Sequence, residues 1–316
     1  MQARGVNPSA PVHRAHLALC VVVAACGCVV QPPPGVDCAA LPDAVDMRLL
    51  EGPAAYKGLL FDETGGVLGS DMLSLMRSEF DGTPEVVLPG LGEITQIDQL
   101  PGGDRVTNQV ETGDLIRITP QGGISVLASN LRAYGVRVGP DGLVYTAGID
   151  GIFRIDPDSG ERSTVVLGDP EGGKGPRVLS FERSGTRLYW GTDEAAEGGR
   201  IYYVDIDADV QVSSDPELLA ANVGGGFHDA MGVDACGNVY VLDWWWSALV
   251  RVTPLGDVTV LLELSGEDDG PLHGLRWGSG LGGWRTDRLY APRPATLELY
   301  EIDLGLPAWH WEPEDG

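Results

Sequence analysis

Leu115-Ile116-Arg117-Ile118-Thr119-Pro120, Ile152-Phe153-Arg154-Ile155-Asp156-Pro157 and Leu249-Val250-Arg251-Val252-Thr253-Pro254 are variants of one phrase. Each reads as a short β-branched strand that runs into a turn marked by Asp or Pro. Looser copies stand at Leu75-Met76-Arg77 before Asp81-Gly82, at Ile201-Tyr202-Tyr203-Val204-Asp205 and at Leu299-Tyr300-Glu301-Ile302-Asp303, which makes six. A second series precedes the first in every unit, where a tight turn joins two apolar strands: Gly65-Gly66, Gly102-Gly103, Asp141-Gly142, Ser184-Gly185, Cys236-Gly237-Asn238 and Arg285-Thr286-Asp287. Two hairpins per unit make a four-stranded sheet, which cannot bury both faces alone, so the units pack radially. The pattern predicts an all-β protein: a six-bladed β-propeller of four-stranded antiparallel blades over residues 43–312. An open β-sandwich is the alternative, but it would not explain two turn types recurring in fixed order.

Outward from the repeats, residues 1–16 carry Arg4, His13, Arg14 and His16 and no acid, and an apolar run follows over residues 17–25. That is the build of a signal peptide, since a membrane span needs about 20 apolar residues. The run ends in Val23-Ala24-Ala25-Cys26, which resembles the lipobox of bacterial lipoproteins. The resemblance implies lipidation of Cys26 and residence in the cell envelope on a membrane surface; plain cleavage after Ala25 and secretion is the alternative. Residues 26–42, with Gln31-Pro32-Pro33-Pro34-Gly35, read as a stiff tether.

The chain carries 46 Asp and Glu against 21 Lys and Arg, a formal net charge of −25. Nucleic acid is therefore excluded as a partner, while cations and neutral ligands are suited. A monomer is expected. With Cys20 in the leader and Cys26 acylated, Cys28, Cys38 and Cys236 remain, and an oxidising envelope allows one pair. Cys38 with Cys236 is the expected disulfide, because only these two lie in the folded part and its immediate lead; isolated thiols are the alternative. No Gly-x-Ser-x-Gly or His-Glu-x-x-His occurs, and Gly168 to Lys174, the one Gly-x-x-x-x-Gly-Lys match, is followed by Gly175 where a phosphate-binding loop needs Ser or Thr, which sets aside the chemistries those motifs serve.

Residues 49–62, 135–147 and 231–242 resemble the regucalcin/gluconolactonase type of six-bladed propeller, with NHL-repeat-like features besides. Glu51-Gly52-Pro53 is similar to that family's Glu-Gly-Pro, whose Glu binds a divalent cation. Asp229-Ala230-Met231-Gly232-Val233-Asp234 is similar to its Asp-Gly-Met segment, whose first Asp is both metal ligand and general base. The resemblance implies that Glu51 and Asp229 begin the inner strands of blades one and five and together hold calcium or zinc. Arg132 matches the family's substrate-side Arg. Arg177, however, falls where the family has a ligand Asn, and Tyr134 where it has a substrate-side Asn. A guanidinium at that point can pair with Glu51 or Asp229 and replace the ion outright.

His228 and His273 open inner strands at the same mouth, as ligand contacts or as packing residues. Trp244-Trp245-Trp246 leaves the second strand of blade five, and because neighbours alternate sides, one or two of these indoles should be exposed. Two functions follow. The first is a binding face for a small molecule, a sugar or a protein, built from Trp244, Trp245, Trp246, Tyr134, Arg177 and His273. The second is a metal-dependent lactone or ester hydrolase with Asp229 as base and Arg132 and His228 orienting substrate. The two Asn departures favour the first.

Overall fold

The computed structural model describes residues 36–168, 175–182, 185–193, 198–206, 212, 214–264 and 270–308. The signal peptide over residues 1–25, Cys26 and the first part of the tether lie outside the described residues. Contacts divide the chain into Met1–Gln31 and Pro32–Gly316, and all described residues belong to the second unit.

That unit is a six-bladed β-propeller of four-stranded antiparallel blades, and no helix occurs among its described residues. The inner strands of blades one to six are Leu60–Phe61, Ile94–Gln99, Ala133–Val138, Pro176–Phe181, His228–Val233 and Arg276–Trp277. All six copies of the repeated phrase fall in third strands, at Leu75–Ser78, Leu115–Ile118, Gly151–Ile155, Gly199–Asp205, Ala248–Val252 and Glu298–Asp303.

The phrase works because its apolar residues fill the spaces between blades while its Arg reaches back to the first hairpin. In blade two Leu115, Ile116 and Ile118 are buried, and Arg117 Nε donates to Asp104 at 2.5 Å. Arg77 with Asp62 and Arg154 with Asp141 repeat that pair at 2.7 Å in blades one and three. Blade five departs from it. There Asp234 accepts instead from the backbone N–H groups of Cys236 and Asn238 and from the Tyr240 hydroxyl. Its Arg251 donates to the carbonyl of Pro42 at 2.6 Å.

That bond ties down the chain before the first strand. Val36 and Leu41 pack against the apolar cluster between blades five and six, and Cys38 is disulfide-bonded to Cys236. Residues 36–42, read in the sequence as the end of the tether, are thus part of the folded unit.

Closure of the ring brings a second correction. Met47–Ala54 pairs with Glu298–Asp303, Met47 opposite Ile302 and Leu49 opposite Tyr300, and forms the outermost strand of blade six. Glu51 is therefore not at the start of blade one's inner strand; it lies exposed on an outer strand.

Candidate functional site

In five blades the first hairpin carries a glycine with positive φ: Gly65, Gly103, Gly142, Gly185 and Gly237. Eight residues before each stand Lys57, Thr95, Tyr134, Arg177 and Asp229. In blade six, whose first hairpin is longer, His273 takes the corresponding place. These six residues meet at one end of the central channel. Lys57 Nζ donates to Tyr134 Oη at 2.8 Å and to Glu93 at 2.7 Å, and Thr95 Oγ1 donates to the Tyr134 carbonyl at 2.6 Å. Arg177 Nη2 donates to Asp229 Oδ1 at 3.0 Å, while Nδ1 of His273 contacts the other carboxylate oxygen. The approach is close enough to require glycine: a Cβ on Gly58, at φ +54°, would lie 2.2 Å from the Thr95 carbonyl oxygen.

The electrostatics follow from burial and these partners. Burial pushes the Asp229 carboxyl up, but His273, Arg177 and Lys57 outweigh it and hold the group well below the usual carboxylate range. Burial likewise pushes the Lys57 ammonium down, and Tyr134, Glu93 and Asp229 outweigh it, so Lys57 stays charged. Burial and Asp229 raise the Tyr134 hydroxyl, which stays protonated.

A divalent cation does not fit this arrangement. Calcium takes six to eight oxygen ligands and zinc about four nitrogen, sulfur or oxygen ligands, whereas the buried Asp229 is met by a guanidinium and an imidazole, with the Lys57 charge acting on it as well. Among the described residues no three His, Cys, Asp or Glu side chains are grouped to hold a metal. Glu51, the other expected ligand, is on the outer strand of blade six, so Arg177 pairs with Asp229 and not with Glu51.

Beside the mouth, between blades three and four, opens a cleft of about 250 Å³ lined by Arg132, Tyr134, Ile149, Pro176, Arg177 and Asp193. Arg132 is exposed at its edge with φ +48°, and Asp193 stands 3.9 Å from Arg177. The Arg177 guanidinium lies 3.6 Å from the ring centre of Tyr134 and 3.8 Å from that of Phe227. From Phe227 the aromatic row continues to Trp244 at 5.4 Å and Trp245 at 5.9 Å between centroids. Trp244 is half-buried, whereas Trp245 and Trp246 are each 53 % exposed. Asp243 holds this turn by accepting backbone N–H groups from Gly226, Phe227 and Trp246.

His228 is not at the mouth. Its ring is fully buried between blades four and five, against Gly191 and Gly199, with Nε2 2.8 Å from the Val223 carbonyl. It cannot orient a substrate from there. Burial lowers its pKa and keeps the imidazole neutral. Lys57, Glu93 and Phe227 are site residues that the sequence reading did not single out; the eight-residue spacing before the hairpin glycine is the signal that finds Lys57.

No protein-family model matches the chain, and no curated protein matches it. Solved structures do. A gluconolactonase from Xanthomonas campestris has a TM-score of 0.67 at 15% identity, covering 88% of this chain and 96% of its own. The calcium-binding regucalcin of Agrobacterium tumefaciens has a TM-score of 0.66 at 16% identity, with 85% and 97% covered. An auxiliary nutrient binding protein from Bacteroides thetaiotaomicron has a TM-score of 0.63 at 12% identity, with 82% and 76% covered. The chain thus has the six-bladed propeller fold of the gluconolactonase and regucalcin structures, as the resemblance in the sequence implied. Identities this low carry the fold and no activity.

Proposed function

We propose that this protein is an exported, Cys26-anchored β-propeller that binds a ligand at its channel mouth and does not hydrolyse it. One observation carries the reading: Arg177, ion-paired to Asp229 and stacked between Tyr134 and Phe227, stands as the chain's own cation against the carboxylate that a metal would need. A carboxylate held ionised by several cations is also a weak general base. The exposed indoles of Trp245 and Trp246 and the adjoining cleft suit a flat polar ligand such as a sugar, stacked on a ring and reached by Arg132. The auxiliary nutrient binding protein of the same fold supports a binding role. On this reading the protein works as a monomer at a membrane surface, without a nucleic-acid partner.

The gluconolactonase likeness supports the alternative, a calcium- or zinc-dependent lactone or ester hydrolase using Asp229. The test is titration of the protein with mono- and oligosaccharides, followed by tryptophan fluorescence, beside a lactone hydrolysis assay with each metal. Saturable quenching that disappears in the Trp245→Ala/Trp246→Ala variant is expected. Metal-dependent lactone turnover that is lost in Asp229→Asn would establish the hydrolase instead.

A further inference from the structure

The opposite end of the channel holds a charge that the mouth does not explain. Five residues before the hairpin glycines of blades two, three and four stand Asp98, Arg137 and Ser180, and Arg276 of blade six belongs to the same level. Arg137 is only 8% exposed. Its Nη1 donates to Gln96 Oε1 at 3.1 Å and to the Val136 carbonyl at 2.9 Å, and its Nη2 to the Met231 carbonyl at 3.0 Å. Every one of these acceptors is neutral. Of the five N–H groups of a guanidinium, one on Nε and one on Nη2 have no acceptor among the described residues. Arg276 differs, because Asp98 lies 2.5 Å from its Nη2 and cancels its charge. Burial, with Arg276 as a further cause and Asp98 opposing both only in part, pulls the Arg137 guanidinium down to about 9, which still leaves it charged at neutral pH.

Against Arg137 lies a cavity of about 130 Å³. Arg137, Arg276 and Ser180 supply its polar wall, and Phe181, Leu275 and Trp277 its apolar one. We propose that this cavity binds a small aliphatic carboxylate, whose oxygens take the uncommitted N–H groups of Arg137 and whose carbon chain lies on the apolar wall. A buried guanidinium whose acceptors are all neutral, and whose nearby carboxylate Asp98 is engaged by Arg276, is costly, so an anion that reaches it is held firmly. The planar fork of donors matches two carboxylate oxygens better than a spherical ion. With Arg276 neutralised by Asp98, the site carries one net positive charge and suits a monoanion. A water molecule takes about 30 Å³ in the liquid, so the cavity has the size of some four waters, which accommodates propionate. The site lies at the other end of the channel from the mouth and does not depend on the function proposed for it.

Thermal unfolding and calorimetric titration with sodium propionate, against sodium chloride at equal ionic strength, test the proposal. Propionate is expected to raise the wild-type Tm saturably and chloride not to. Arg137→Met should weaken propionate binding at least tenfold, and propionate should no longer raise its Tm, since the donors that hold the carboxylate are gone. Leu255→Ser, at an exposed turn, should keep wild-type propionate affinity. If Arg137→Met does not fold, Arg276→Gln serves instead, because it leaves the Asp98 carboxylate unneutralised beside the site; tenfold weaker binding supports the proposal. A wild type indifferent to propionate overturns it, as does affinity unchanged in the Arg137 or Arg276 variant, or affinity lost in Leu255→Ser.

Discussion

Replacing Arg177 with Asn removes one side of an ion pair whose partner cannot turn to water. The side chains of Arg177 and Asp229 are 10% and 2% exposed, so solvent screens the interaction little. Truncating one member of a buried pair costs about 3–5 kcal/mol, and the lost stacking on Tyr134 and Phe227 adds roughly 1 kcal/mol. For a domain of this size that corresponds to a fall in Tm on the order of 8 to 24 °C. The loss should depend on pH in a set direction. Asp229 is held below its unfolded value, so it contributes stability above the unfolded carboxyl pKa of about 3.9, and that contribution disappears as pH falls through the folded value. With Arg177 gone, burial is opposed by fewer charges and the contribution shrinks. The gap between wild type and variant should then be widest at neutral pH and close in acid. Thermal unfolding of both proteins, followed by circular dichroism from neutral to acidic buffer, measures it. A variant within about 1 kcal/mol of wild type at neutral pH, too little for a broken buried pair, would refute the reasoning, and so would a gap constant across the pH range.

Calcium should stabilise neither the wild type nor Arg177→Asn, because Lys57 still faces Asp229, whereas Lys57→Glu/Arg177→Asn should gain Tm in millimolar calcium; a wild type that binds calcium at micromolar levels sinks this expectation. His228 is buried neutral with its pKa lowered. Its unfolded imidazole therefore takes up a proton that the folded one refuses, and stability should fall as pH drops below about 6.5. In His228→Gln that slope should flatten, and an unchanged slope in urea titrations counts against it. Cys26→Ser should move the protein from the detergent phase to the aqueous phase in phase separation, and equal partitioning of the two proteins removes the lipid anchor.

What the sequence determined by itself was local. A strand's alternation and a hairpin glycine's positive φ are properties of a few neighbouring residues, so the six repeated phrases and their turns disclosed the blades, their number and their strand order. The same turns place Tyr134, Arg177 and Asp229 at one level of the channel, each eight residues before its glycine. Lys57 obeys that spacing too, but Glu51-Gly52-Pro53 drew the reading six residues upstream. Only the folded ring decided between them, because Met47–Ala54 finds its hydrogen-bonding partner in Glu298–Asp303, at the far end of the chain. Neither strand's own pattern names the other. The carboxylate Arg177 meets, the buried position of His228 and the neutral acceptors around Arg137 were likewise set by tertiary structure. Charges and ring contacts at the channel join residues from different blades, and their distances exist only once all six blades have closed.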